Sequence, residues 1–315
     1  MTPGESVLVV DVTLRDGGYV NGHSWTTERA ERVVRACAAG GVPYVEVGYF
    51  RPNRHAVDGA ELPSASCPSG YLERLCEAAG AATGLVVMAH AKDVTPEALA
   101  RLARAGVRLV RMPTAPTTVK ELTSYAEAVH GAGMAFSVNL VRVSELTEAE
   151  ILRSAEAAQR ISADVFYLAD SNGSMFPDDV ARIAGSVRET VDAALGFHSH
   201  DGISMGFANS LVAMQHGFRY IDASLCGMGK GGGNLALELL TAYLNSRGHR
   251  TFSIVPLADA AAELPTPWQG DGTLARCESI VSGMLDLNLE NLASIRSEGP
   301  GKVLAMLDNA THDAR

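Results

Sequence analysis

The chain has 315 residues, 47% hydrophobic and 20% charged, with a formal net charge of −10. That length is enough for one large α/β domain or two ordinary ones, and the acidic balance excludes a general electrostatic footprint on nucleic acid or an anionic membrane. No apolar run approaches the roughly 20 residues that span a bilayer.

The opening stretch, MTPGESVLVVDVTLRDG, lacks a basic region and runs straight into a strand-like segment, so it predicts no signal peptide. β-rich runs then recur at a similar pitch: VLVVDVTL (7–14), YVEVGYF (44–50), GLVVMAH (84–90), RLVRMPT (108–114), AFSVNLV (135–141), DVFYLAD (164–170), ALGFHSH (194–200) and YIDASL (220–225). Between them lie Ala-, Leu- and Glu-rich segments of helical period, such as TTERAERVVRACAAGG and TEAEILRSAEAAQR. They start near Thr or Pro, and several end at Gly. Eight such units predict an α/β fold, a closed (β/α)8 TIM barrel. A doubly wound open sheet is the alternative, weakened because no GxGxxG follows the first strand.

From about residue 250 the alternation stops. VPLADAAAEL, TLARCESIVSGML and GKVLAMLDNA read as helices around a Pro/Gly-rich connector, giving a barrel over 1–249 and a helical C-terminal extension over 250–315, with THDAR disordered. Five cysteines without CxxC spacing (Cys37, Cys67, Cys76, Cys226, Cys277) predict reduced thiols and a cytoplasmic location.

In a (β/α)8 barrel, function sits at the C-terminal ends of the strands. Those positions are polar here. They include Arg15-Asp16 after the first strand, Glu46 on the second, Asp170-Ser171-Asn172-Gly173 after the sixth, His198 and His200 on the seventh, and the loop Gly227-Met228-Gly229-Lys230-Gly231-Gly232-Gly233-Asn234 after the eighth. On a strand, residues two positions apart share a face, so His198 and His200 point together and Ser199 points away. Barrel closure sets strand one beside strand eight, with seven next. Asp16, His198, His200 and Asn234 then share one wedge of the mouth and form a candidate divalent-metal site, without the thiolates of a structural zinc site. Simpler readings exist for each part. A strand-end histidine can be structural, Arg15 can be a salt-bridge partner of Asp16 or Glu46, and the glycine loop can be a plain connector or a phosphate cradle with Lys230. Cys226 reads as a small buried residue, and His55, His90 and His216 as structural or surface groups.

VDVTLRDGG, GFHSHDGISMGFANSLVAMQHG and IDASLCGMGKGGGNLALELL, in that order, resemble the DRE-TIM metallolyase superfamily, and most closely its 4-hydroxy-2-oxovalerate aldolase-like (HMGL-like) branch. The resemblance implies that Asp16, His198 and His200 hold a divalent cation with Asn234 as a fourth ligand, and that Arg15 stabilises enolate charge. It also implies that Asp170 and Ser171, in a DSxG-like element, lie near the substrate carboxylate. Four departures stand out. The synthases of the superfamily have glutamine where Gly18 stands, and the CoA lyases have a cysteine inside the glycine loop where this chain has none. The aldolases have a histidine where Tyr19 stands and a tail tyrosine that TLARCESIVSGML lacks.

The expectation is therefore a class II aldolase acting on a 2-oxo acid such as pyruvate and an aldehyde. Its cation is Mn2+ in the first place, with Mg2+, Co2+ or Zn2+ as substitutes. Tyr19 and His23 are rival acid/base groups, and Glu46 orients Arg15 or a water. A Claisen-type acyltransferase using an acyl-CoA, with Lys230 in its CoA pocket, and a non-catalytic barrel are the competing readings. A homo-oligomer is expected; an aldehyde dehydrogenase partner is left open without support. Segment 50–70, with Arg51, Arg54 and His55, is a candidate lid, specificity loop or subunit contact.

Overall fold

The computed structural model describes residues 6–52, 62–248, 252–264, 272–299, 302–304 and 306. All eight predicted strands form, within two residues of the predicted ends except at the first. They are β1 (Leu8–Asp11), β2 (Tyr44–Tyr49), β3 (Gly84–Met88), β4 (Val107–Thr114), β5 (Ala135–Leu140), β6 (Val165–Asp170), β7 (Ala194–Ser199) and β8 (Tyr220–Ala223). β1 stops three residues early because the chain turns in after Asp11. Every neighbouring pair is parallel, and β1 pairs with β8 from Leu8↔Tyr220 to Asp11↔Ala223, so the sheet closes in sequence order. The open-sheet alternative is excluded.

The helices are α1 (Thr27–Ala39), α2 (Pro63–Ser66), α3 (Ser69–Ala79), α4 (Pro96–Ala100), α5 (Thr123–Gly131), α6 (Glu148–Arg160), α7 (Pro177–Thr190), α8 (Gly206–Gln215), α9 (Leu237–Ser246), α10 (Ile254–Ala262), α11 (Gly272–Met284) and α12 (Leu289–Ser297). Their start signals are physical. Thr26 accepts the Arg29 amide at the head of α1, and Thr147 and Glu150 form a reciprocal capping box on α6. No helix among the described residues is long and apolar enough to cross a membrane.

Strand parity separates two layers. Val9, Val45, Val87, Val110, Phe136, Phe166, Leu195 and Ile221 point outward into the main core under the helices. Val10, Val12, Val86 and Leu109, with Tyr44, Ala135 and Tyr220, plug the barrel interior. Above that plug the inward positions become polar and carry Glu46, Arg111, Tyr167, His198 and Asp222. Gly196 is required there, since a Cβ on it would lie 2.4 Å from the Tyr167 ring that crosses the interior.

VPLADAAAEL and TLARCESIVSGML form α10 and α11; GKVLAMLDNA lies largely outside the described residues, and α12 has no counterpart among the expected helices. α10 packs on α1 and α9, with Leu257 set over the bare Gly40. α11 and α12 share a separate small cluster of Val281, Leu292 and Val303. The turn between them docks on the barrel mouth, where Ser144, Asn172 and Ser174 all donate to Asp286 Oδ1 at 2.5–2.8 Å. THDAR, Arg54 and His55 lie outside the described residues.

Asp11 offers a stability test. It is fully buried under the helices, receives Thr13 Oγ1–H at 2.5 Å, and burial pushes its carboxyl up from 3.8 to about 7. A carboxyl raised in the folded state binds protons more tightly there than in the unfolded chain. Its ionisation therefore removes stability progressively as pH climbs from about 4 through 7. Asp11→Asn removes that cost, so its stability relative to wild type should be more favourable at pH 8 than at pH 5 by about 2 kcal/mol. Urea unfolding at both pH values checks this; a difference independent of pH would show that Asp11 titrates normally.

Candidate metal centre and active site

β7 aims both imidazoles into the mouth, as the alternation requires. His198 Nδ1–H donates to Asp222 Oδ2 at 2.9 Å and His200 Nδ1–H donates to the Gly233 carbonyl at 3.1 Å. Those partners, assigned from the hydrogen-bond network, leave a lone pair on each Nε2 of the neutral rings. The two Nε2 atoms lie 3.3 Å apart, and Asp16 Oδ2 stands 3.8 Å from that of His200. Two lone pairs facing each other beside a carboxylate repel unless a positive charge lies among them. A proton is disfavoured, because burial lowers the His200 pKa to about 4 despite the neighbouring Asp16. Asp16 stays ionised. Burial works against its charge, but the Arg15 guanidinium, with the Lys230 backbone amide, outweighs it and holds the carboxyl well below its usual range.

Asp16, His198 and His200 form a group able to hold a metal ion, with ligand atoms all within 4.8 Å. Asn234 is paired with His200 by an isolated bridge. Its Nδ2 donates to Asp16 Oδ2 at 3.0 Å and to the Met228 carbonyl at 2.8 Å, while its buried Oδ1 has no partner among the described residues. An orphaned buried oxygen, two facing lone pairs and a fixed anion fit a divalent cation.

The ligand wedge is tied into a chain of alternating charge. Arg15 Nη1 donates to Asp16 Oδ1 at 2.6 Å and its Nε to Glu46 Oε2 at 2.7 Å. Arg111 Nη1 donates to the same Glu46 oxygen at 3.2 Å, and its Nη2 to Asp222 Oδ2 at 2.7 Å. Asp222 also accepts the Tyr167 hydroxyl at 3.0 Å and, as above, orients His198. The circuit runs Asp16, Arg15, Glu46, Arg111, Asp222, His198, and back to Asp16 through the cation position. Arg111, Glu46 and Asp222 are almost completely buried, and the Arg111 guanidinium lies 4.1 Å over the Tyr167 ring. With the Asn139 amide oxygen turned toward it, Arg111 gains two more acceptor contacts, at 2.9 and 3.1 Å.

A cavity of about 210 Å3 opens over this floor, lined by Arg15, Asp16, His198, His200, Lys230, Ser171, Arg142, Tyr19, Tyr49 and His90, among others. Tyr19 and Tyr49 share a hydroxyl–hydroxyl hydrogen bond of 2.9 Å. Burial raises the Tyr49 phenol well above its usual range. His23 stands behind them with its ring edge-on to both, at 5.1 and 5.7 Å between centroids. Gly18 makes that room, since a Cβ there would lie 2.3 Å from His23 Nδ1.

Of the residues singled out by sequence, Arg15, Asp16, Tyr19, Ser171, Lys230, His198 and His200 line the cavity. Glu46 lies beneath it and orients Arg15, while Asn234 braces Asp16. Asp170 is a correction. Its oxygens accept the Ser174 and Met175 amides at 3.1 and 3.2 Å, so it caps the turn after β6 and does not line the cavity. Burial raises its carboxyl to about 6. His23 is also outside the lining. Cys226, expected buried, is exposed in a left-handed conformation (φ 54°) at the kink after β8. His90, set aside as structural, lines the cavity, stacked on Tyr49. Arg51 lies over the Tyr49 ring and pairs with Asp93, behind the site. Arg111, Asp222, Tyr49, Asn139 and Arg142 were missed. The usable signal for the first two was a charge at an inward position of an otherwise apolar strand.

A sequence profile of the HMGL-like family matches residues 6–259. Oxaloacetate decarboxylase of Mycobacterium tuberculosis is 31% identical over 248 residues, covering 77% of this chain and 71% of that protein. 4-Hydroxy-2-oxovalerate aldolase of Moorella thermoacetica is 30% identical over 271 residues, covering 83% and 77%. A solved N-terminal domain from Bacteroides vulgatus shares the fold, with a TM-score of 0.77 at 24% identity over 95% of this chain and 99% of that one. With the barrel closed in family order and Asp16, His198 and His200 brought together at its mouth, the chain belongs to the HMGL-like family.

Proposed function

We propose that this chain is a divalent-metal-dependent, class II aldolase or lyase that makes or breaks a carbon–carbon bond through the enolate of a 2-oxo acid such as pyruvate. The observation that carries the reading is the convergence of Asp16 and two imidazole lone pairs in the cavity that also presents Arg15 and Ser171. Asp16, His198 and His200 would hold the cation with Asn234 Oδ1 as fourth donor, and Mn2+ suits this oxygen and imidazole set. Bound there, the cation supplies Lewis-acid polarisation of a carbonyl oxygen and lowers the barrier to enolate formation.

The remaining work falls to the chain. Arg15 is clamped through Nε and Nη1, which leaves Nη2 to meet a developing oxyanion without reorganising. Ser171 accepts the Arg142 amide at 3.0 Å, so its hydroxyl proton is free to meet a substrate carboxylate. Tyr19, which faces the cavity, is assigned to the aldol hydroxyl, with His23 behind it. In cleavage the Tyr19 oxygen accepts the hydroxyl proton as it releases its own to solvent, which its 46% exposed side chain reaches. The C3–C4 bond breaks, the hydroxyl carbon leaves as a carbonyl, and the bonding pair passes into the enolate that a proton then quenches. We read the five cysteines, all unbridged, as those of a cytoplasmic enzyme.

A second reading, decarboxylation of oxaloacetate, is favoured by the name of the Mycobacterium tuberculosis relative. It needs the same enolate and no base at a hydroxyl group. The common test is deuterium exchange into the pyruvate methyl group. Mn2+-loaded protein in D2O should exchange, chelation should slow exchange at least about a hundredfold, and Mn2+ should restore it. Metal-loaded protein that leaves the methyl protons untouched would remove the enolate chemistry from both readings.

A further inference from the structure

Four cationic side chains line the cavity: Arg15, Arg111, Arg142 and Lys230. Two are matched in the floor, Arg15 by Glu46 and Asp16, and Arg111 by Glu46 and Asp222. The other two lie on the open side and are not. Among the described residues no carboxylate lies within ion-pair distance of Lys230 Nζ. Among the described residues the Arg142 guanidinium pairs with one carboxylate, that of Glu290 at 3.0 Å, a residue of α12 whose side chain is 75% exposed. Yet the main chain of both residues is anchored in register with the candidate site. Lys230 donates its backbone N–H to Asp16 Oδ2 at 3.2 Å, and Arg142, held at φ 56°, donates its own to Ser171 Oγ at 3.0 Å. Lys230 and Arg142 line the same cavity, and Glu290 stands against Arg142 at its rim. Two cationic side chains on anchored main chain beside the candidate metal site, with one exposed carboxylate as their counter-ion, are arranged to receive an anion from outside.

We propose that Lys230 and Arg142 form a subsite for a second carboxylate of the substrate, so that the enzyme acts on dianionic 2-oxo acids. The assignment of the 2-oxo end to Asp16, His198 and His200 rests on the function proposed above. The charged end lies at Lys230 and Arg142, where the incoming carboxylate displaces Glu290 from Arg142. In an aldol cleavage the bond broken lies between the two ends, and the departing carbonyl fragment carries the second carboxylate away as an aldehyde acid or oxo acid. In a decarboxylation the second carboxylate is itself the leaving group and departs as CO2, its bonding pair passing to the enolate.

Matched ligand pairs test this by calorimetry on Mn2+-loaded protein: 2-oxoglutarate against 2-oxohexanoate, and oxaloacetate against 2-oxopentanoate. Wild type should prefer the dianion of at least one pair about thirtyfold or more. Lys230→Met and Arg142→Met should each reduce that preference about tenfold, and Lys230→Arg should retain it. Glu290→Gln, remote from the metal group, should strengthen dianion binding a few fold. A wild-type preference under threefold in both pairs, or a preference that survives in the Lys230→Met/Arg142→Met protein, overturns the subsite. Pyruvate exchange on the same samples keeps the two ideas separate. Dianion preference without exchange sinks the enolate reading and leaves the subsite; exchange without preference does the reverse.

Discussion

Arg15→Lys should slow pyruvate deuterium exchange by about a hundred- to a thousandfold, while Mn2+ affinity falls by no more than about tenfold. The two effects separate because Arg15 does two jobs with different atoms. Nη1 steadies Asp16 and Nε is held by Glu46, so the guanidinium plane is fixed before substrate arrives. A lysine ammonium can still face one carboxylate, but it has no second and third donor in a fixed plane. It keeps part of the electrostatic support for Asp16 and loses the preset donor toward the oxyanion. Mn2+ titration followed by electron paramagnetic resonance and exchange followed by proton NMR read the two effects independently. Exchange reduced less than tenfold would remove Arg15 from its assigned role, and affinity lost in parallel with exchange would make it a support of the metal group alone.

How much of this was readable in the chain depends on the range of the interaction concerned. The barrel was legible because period-2 runs and helical segments are local, and because a parallel strand needs a crossover that the helices supply. The His198/His200 pair was legible from strand parity. Its meeting with Asp16 followed from ring closure alone, since closure sets β1 beside β8 whatever the details of register. The arginine and aspartate network was not legible. Whether Arg111 on β4 reaches Glu46 on β2 and Asp222 on β8 across the interior depends on barrel stagger, which local pattern does not carry. Parity could have flagged all three as inward charges; of the three only Glu46 is singled out by sequence, as a polar position on its strand, and parity is argued there only for His198 and His200.

Loops gave the errors. Asp170 was read by motif as facing substrate, although an aspartate just before two available amides is also a turn cap, and that use won. Tyr19 and His23 could not be ranked because their order in space depends on a four-residue 3-10 turn at Gly17–Val20. That turn puts the phenol in the cavity and the imidazole behind it. The docking of Asp286 on the loops after β5 and β6 had no local signature, since it joins residues more than a hundred positions apart.

Glu46→Ala should be the most destabilising single change in the barrel interior, at about 3–5 kcal/mol. At roughly 2–3 °C per kcal/mol for a chain of this size, the Tm should fall by about 10 °C. Glu46 is fully buried, and one of its oxygens serves both Arg15 and Arg111, themselves 5% and 0% exposed. Removing it leaves two guanidiniums in the interior with a single carboxylate apiece and opens a gap between them. Glu46→Gln should cost less, because an amide oxygen can still accept from both arginines, though without charge. The contrast is Arg74, whose bonds to Glu28 and Glu31 are short but whose side chain is 46% exposed; Arg74→Ala should leave the Tm close to that of wild type. Bond lengths in the two clusters overlap, so burial alone makes the prediction differ. The same circuit runs through Asp222 to His198, so Glu46→Ala should also weaken Mn2+ binding, by about ten- to a hundredfold. A Glu46→Ala protein that melts within about 2 °C of wild type would mean that water or a rearranged Asp222 compensates the arginines. The floor of the site would then be a set of separate ion pairs and not one circuit.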